Sequence, residues 1–114
     1  MDAEAIMGLV IISLAALVMI MIGVSQMINK DAPVGFYNVI DPPKKEEITD
    51  MIAWNKQHGW MWIVYGIMIE LGFWLGGMMS IVALEVLFTI GGIVFPLPVM
   101  IMRHQSLVKK YRKV

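Results

Sequence analysis

Glu70 and Glu85 are the side chains whose type and placement most invite chemistry, because each is a carboxyl within a long apolar run. An ionised carboxylate at the middle of a membrane-spanning helix costs about 2.5–3.5 kcal/mol on insertion scales. The two lie equally far in sequence from Gly77–Met78. If the chain turns there, both sit at one depth, ~11 Å of helix rise from the turn, and Ser13 enters the same layer from the first apolar run. Glu85 shares a helical face with Thr89 and Gly92, while Glu70 belongs to a stripe of Gly59, Ile63, Gly66, Glu70, Phe73 and Gly77 at spacings of four and three. No Lys, Arg or His falls at that depth to neutralise them. Three uses stay open. Protonated carboxyls hydrogen-bonded to Ser13, Thr89 or each other would glue helices together. Alternatively, the pair binds a proton or cation, within the chain or across a homo-oligomer, or docks a membrane partner of complementary charge.

The remaining chemical inventory is short. His58 and His104 stand at the far ends of the second and third apolar runs, and counting from the same turn predicts them about two helical turns apart. Separate interfacial histidines follow, with too few ligands for a metal. The sequence has no Ser-His-Asp set in a plausible layer, no phosphate loop, no HExxH and no cofactor motif. With no cysteine there is no disulfide or thiolate ligand. The expectation is a non-enzymatic protein without metal or cofactor.

The elements that must carry these residues are legible in composition. Of 114 residues 59% are hydrophobic and 16% charged, against roughly 25% charged in ordinary soluble domains. Three runs, Ala5–Ile28, Gly59–Gly77 and Met78–Met102, hold 68 of the residues, and a bilayer span needs about 20. A soluble globular domain, a disordered chain and a nucleic-acid-binding module are excluded. The predicted fold is an all-α integral membrane protein of three transmembrane helices in one domain. Helices 2 and 3 form a tight antiparallel hairpin through Gly76–Met79, and helix 2 has an amphipathic lead-in. Nine Lys and Arg balance nine Asp and Glu, but all the basic residues lie either between the first two runs or after the third. Positive flanks stay cytoplasmic, so a multi-pass protein of the cell membrane is expected, with its N-terminus outside and its C-terminus inside. The first run is preceded by Asp2 and Glu4 rather than by Lys or Arg and exceeds a signal-peptide apolar core, so it reads as a retained helix.

Between the first two spans, residues 29–58 read as a cytoplasmic connector and amphipathic helix. Pro33, Gly35, Pro42 and Pro43 mark turns. Asp41 is the expected N-cap, with Glu46 and Glu47 in the first turn. Ile48, Met51, Ile52 and Asn55 recur on one face, and Trp54, Trp60, Trp62 and Tyr65 form an interfacial aromatic belt. Helix 1 carries Gly8, Ala15, Ala16 and Gly23 without a single small-residue stripe. In helix 3, Pro96 and Pro98 should kink or loosen the last turns, and residues 103–114 form a short basic tail.

The connector PVGFYNVIDPPKKEEITDMIAWNKQHG resembles that of the SdpI-like family of small bacterial membrane proteins. Those show a Gly-aromatic element, a polar stretch, and a Trp followed shortly by Asn and Gly as the next helix begins. Gly35, Phe36 and Tyr37 match the first element and Trp54, Asn55 and Gly59 the second, with His58 inside the same segment. Asn55 directly follows Trp54, and Tyr37-Asn38 replaces the usual basic-hydroxyl pair. The resemblance implies immunity to a secreted antimicrobial peptide, sometimes with signalling to a regulator. These seven residues would then form a partner-binding connector. The combined expectation is a small accessory or immunity-type protein that binds a membrane protein or peptide in the bilayer. Its rival is a proton- or cation-coupled transporter acting as a homo-oligomer through Glu70 and Glu85.

Overall fold

The structure, a computed structural model, describes residues 2–35 and 43–112. Helix α1 spans Ala3–Ile28, α2 Met51–Gly77, α3 Val82–Val94 and α4 Pro96–Tyr111, with a 3-10 turn at Lys45–Glu47 before α2. No strand occurs among the described residues, although Ile48 and Arg112 form an isolated β-bridge. Three helical stretches are long and apolar enough to cross a membrane: Ala3–Ile28, Met51–Gly77 and Val82–Tyr111, of 26, 27 and 30 residues.

Local chemistry sets the helix starts. Asp2 caps α1 by accepting from Ala5 N at 2.8 Å, and Glu4 adds negative charge to the first turn, where the helix dipole favours it. Asp50 caps α2 in the same way, accepting from Ala53 N at 3.1 Å. The amphipathic lead-in therefore starts later than the sequence suggests. Asp41 and Pro42 lie outside the described residues, and Glu46 and Glu47 belong to the 3-10 turn rather than to the first turn of α2. Ile48 is extended between the 3-10 turn and α2, and its side chain lies in the core, 4% exposed. Its neighbour Thr49 donates its backbone N–H to Tyr111 O at 2.8 Å, tying the start of α2 to the end of α4.

The middle element is α2. In its most apolar stretch 44% of residues are buried within the chain, against 6% for α1 and 17% for the α3–α4 stretch. One face of α2 meets α1 and the other meets α3 and α4. Glycines allow the approach on both faces. A Cβ on Gly66 would lie 2.6 Å from Ala16 O, and one on Gly72 would lie 2.7 Å from Phe88 O. Gly23 faces Gly59, and Gly92 faces Gly72. In α1, Gly8, Ala16 and Gly23 all contact α2, although they are two turns apart rather than one. Small residues at that wider interval still share a face, which a search for consecutive turns overlooks.

Two boundaries differ from expectation. Residues 78–81 intervene between α2 and α3, with Met78 N and Met79 N bonded back to the last turn of α2. The basic tail is also helical as far as Tyr111, so Pro96 and Pro98 fall within the long helical stretch rather than near its end. Phe95 keeps helical dihedrals and bonds to Gly91 O, while Tyr65 Oη donates to Ile93 O at 2.8 Å in the interrupted turn. Side-chain donors of this kind are how proline breaks are accommodated in apolar surroundings.

Overpacking at these crossings separates essential glycines from incidental ones. Gly66→Val and Gly72→Val should each lower unfolding stability in detergent by about 1–3 kcal/mol. Gly77→Ala, where an added Cβ meets nothing within 4 Å, should leave the unfolding midpoint unchanged.

Candidate functional site

The face of α2 that carries Gly59, Gly66, Glu70 and Phe73 lies against α1. There Ser13 Oγ donates to Glu70 Oε1 at 2.9 Å, bridging the two helices. Trp74 Nε1, one turn along α2, donates to the same oxygen at 3.0 Å. Glu70 Oε2 is buried and has no hydrogen-bond partner among the described residues. Beside it a groove of about 370 Å³ opens between α1 and α2, lined by Ser13, Leu17, Gly66, Ile67, Glu70 and neighbouring aliphatic groups. A carboxyl with one oxygen held and the other unsatisfied retains hydrogen-bonding capacity in an apolar wall. In a low-dielectric setting an added partner there is worth more than at a wet surface.

Glu85 does not join this site. It lies in the first turn of α3 and is exposed, and its backbone carbonyl packs against Gly76 near the end of α2. Glu70 is six residues earlier on α2, ~9 Å along the axis. The N-terminal turn of a helix is a favourable place for a carboxylate. Thr89 contacts Gly76 through its hydroxyl and stays with Glu85. The expected layer of Glu70, Glu85, Ser13 and Thr89 thus resolves into a Glu70–Ser13 pair and, at a different height, Glu85 and Thr89 each packed against Gly76. The reason is the 78–81 turn. Inserting four residues before α3 moves every α3 residue outward relative to α2.

A displacement in the same direction accompanies the meeting of the histidines. His58 Nε2 and His104 Nδ1 are 2.8 Å apart, and both rings are buried. The separation of about two turns expected from sequence is therefore wrong. His58 Nδ1 donates to Trp54 O at 2.9 Å, since a carbonyl only accepts. With both rings neutral, His104 Nδ1 then donates to His58 Nε2. Trp54 packs on the pair, 4.1 Å from the His58 ring centroid and 5.9 Å from that of His104. Among the described residues no group of three or more His, Cys, Asp or Glu is placed to hold a metal.

The connector residues form a latch at this end. Asn55, 0% exposed, accepts from Val34 N at 2.9 Å. It donates to Asn29 O at 2.9 Å and Ala32 O at 3.0 Å. Trp54 Nε1 donates to Val34 O at 2.9 Å. One amide and one indole thus satisfy the backbone of the chain leaving α1. Gly35 O accepts from Gln26 Nε2 at 3.5 Å, and Gly59 lies against Gly23 and Met27. Phe36 and Tyr37 lie outside the described residues. Trp54, Asn55, His58 and Gly59 are internal to the fold, engaged with the chain's own backbone and rings. The sequence signal for this role is a polar Asn on the apolar face of the lead-in, beside Ile48, Met51 and Ile52.

Comparison with known proteins finds no matching family model, no matching curated protein and no matching solved structure.

Replacing Asn55 by Ala strands three backbone groups in the interior. That should cost about 2–4 kcal/mol, since each buried unsatisfied group carries about 1–3. Limited proteolysis should then cut within residues 29–35 faster than in the parent. For the histidines, nitrogen-15 NMR should show His58 carrying its proton on Nδ1 when neutral. His104→Phe should leave His58 Nε2 without its partner and shift that resonance.

Proposed function

We propose that this chain is a three-span integral membrane protein, with its N-terminus outside and its C-terminus cytoplasmic, that works by binding rather than by catalysis. In this reading α2 and the α3–α4 stretch run as an antiparallel hairpin, and α1 packs on the opposite face of α2. The contacts of Gly76 with Thr89, Gly72 with Gly92 and Gln57 with Arg103 support that arrangement, and the one-sided distribution of Lys and Arg supports the orientation. The occupant we assign is a membrane-embedded partner, a protein helix or a membrane-active peptide, seated along the α1–α2 groove. The observation that carries the reading is Glu70. One of its oxygens is anchored by Ser13 and Trp74, and the other is buried without a partner beside an open groove.

A donor-bearing side chain on the partner would complete that carboxyl. Intramembrane hydrogen bonds typically contribute about 0.6–2 kcal/mol to helix association, enough to select a partner but not to hold it alone. Aliphatic contact along Leu17 and Ile67 supplies the remainder. An accessory or immunity-type role, as the connector's resemblance to SdpI-like proteins implies, fits a chain that captures a peptide within the bilayer. Separation of Glu85 from Glu70 leaves one carboxyl beside the groove, which supports the binding reading over a paired-carboxyl proton or cation site within one chain.

A photoreactive amino acid at Leu17 or Ile67 should give a discrete crosslinked species in native membranes. Glu70→Gln, which keeps hydrogen-bonding groups, should retain it, and Glu70→Leu should lose most of it while the folded chain still accumulates. Equal crosslinking in the Leu and Gln variants would sink the assignment. So would substrate-driven proton flux in proteoliposomes that Glu70→Gln abolishes. Cells lacking the chain should be more sensitive to a membrane-active peptide that crosslinks at this groove.

A further inference from the structure

A second groove lies on the opposite side of α2 and differs in character. It encloses about 280 Å³ between α2 and α4, with Trp60, Val64, Val99 and Met100 as walls and Pro96 at one end. That volume sits at the lower edge of the roughly 300–1,000 Å³ typical of small-molecule sites, suited to a chain segment rather than a bulky ring system. The prolines help to make the space. Pro96 and Pro98 lack backbone N–H groups, and tight α-helical packing is interrupted where α3 passes into α4.

At its other end the groove is closed by Arg103 and Gln57. Arg103 Nη2 donates to Gln57 Oε1 at 3.0 Å, so the guanidinium is oriented by a neutral side chain. The ion pair found among the described residues joins Arg112 to Glu47, not Arg103 to any carboxylate. Arg103 is exposed, and its bond to Gln57 engages one of five donors. Lys110 is two turns further along the same face of α4. Trp60, 47% exposed, stands at the groove's rim, where an indole favours a membrane interface.

We propose that this groove seats one acyl chain of an anionic phospholipid whose phosphate is held by Arg103. A slot walled by aliphatic and indole carbon suits the chain. The oriented guanidinium at one end suits a phosphate, which Arg grips with a planar fork of donors. Charge complementarity selects the lipid class. Basic residues clustered at the cytoplasmic ends of spans attract anionic headgroups, and a zwitterionic headgroup gains less from an unneutralised Arg. The inference rests on the three-span reading but not on the Glu70 groove, which lies on the other face of α2.

The test uses the full chain purified in a neutral detergent and native mass spectrometry. Dioleoylphosphatidylglycerol and dioleoylphosphatidylcholine are supplied at equal concentration. The parent should retain the phosphatidylglycerol adduct about fivefold more than the phosphatidylcholine one, the effect expected of one basic residue at an anionic surface. Arg103→Gln should bring the ratio close to one, whereas Lys30→Gln should leave it unchanged. Val99→Trp should reduce both adducts by filling the slot, with circular dichroism confirming that the variant remains helical. Equal retention of the two lipids by the parent would overturn the proposal. An unaltered preference in Arg103→Gln, or a lipid-free dimer in which a second copy fills the groove, would do the same. A chain that stays monodisperse in buffer without detergent would instead overturn the three-span reading, and the lipid site with it.

Discussion

The structure depends on how closely the backbone of α2 can be approached from two opposite sides. Gly66 admits the Ala16 backbone on one face, and Gly72 admits the Phe88 carbonyl on the other. Between apolar helices in lipid, burying aliphatic surface gains little, because lipid tails are equally apolar. Close van der Waals contact and interhelical hydrogen bonds decide packing instead. A central helix with small residues on both faces is therefore a condition of the three-helix arrangement. It also explains why α1 and α3 remain so exposed, since each is held by one face only.

Polar groups are distributed unequally along this scaffold. At the end that carries the basic residues, Asn55, Trp54, His58 and His104 form a closed set of hydrogen bonds that joins the α1 exit, α2 and α4. The Thr49–Tyr111 backbone bond completes the tie. The exposed Glu47–Arg112 pair adds little to it, as surface ion pairs rarely contribute more than about 1 kcal/mol. Further along α1 and α2 the polar set is incomplete: Ser13 and Trp74 satisfy one oxygen of Glu70 and leave the other. The chain is thus closed where it must hold its connector and open where an apolar groove adjoins a carboxyl. That asymmetry leaves Glu70 with unused hydrogen-bonding capacity and makes Asn55 a structural residue.

Much of the fold was legible because the relevant forces act locally. Run length and apolarity mark three helices whatever their partners. The four-and-three spacing of Gly59, Ile63, Gly66, Glu70 and Phe73 is a property of one helix, and it identifies a single face of α2. Pairing between helices is different, because it depends on the length of the turn. Assigning the turn to Gly77–Met78 matches Glu70 with Glu85 and separates His58 from His104. Four intervening residues, 78–81, shift the register towards the packing found, in which Glu85 is set apart and the histidines meet. One local uncertainty of a few residues thus spread into every cross-helix contact. The seemingly irregular small residues of α1 are a milder case, since their common face is evident only once α2 is laid against it.

Sequence alone determined that three helical stretches are long and apolar enough to cross a membrane, the one-sidedness of the basic charge and the chemical oddity of an apolar run with a carboxyl. Those follow from side-chain type and helical period, which need no partner. Tertiary structure decided which polar groups meet. It joined Ser13 to Glu70, His58 to His104 and Asn55 to the chain leaving α1, and it set Glu85 apart at the start of α3. The physical reason is that a hydrogen bond requires atoms within about 3 Å, while a shift of one residue moves a helical side chain by 1.5 Å along the axis and 100° around it. Only the packed register resolves contacts on that scale.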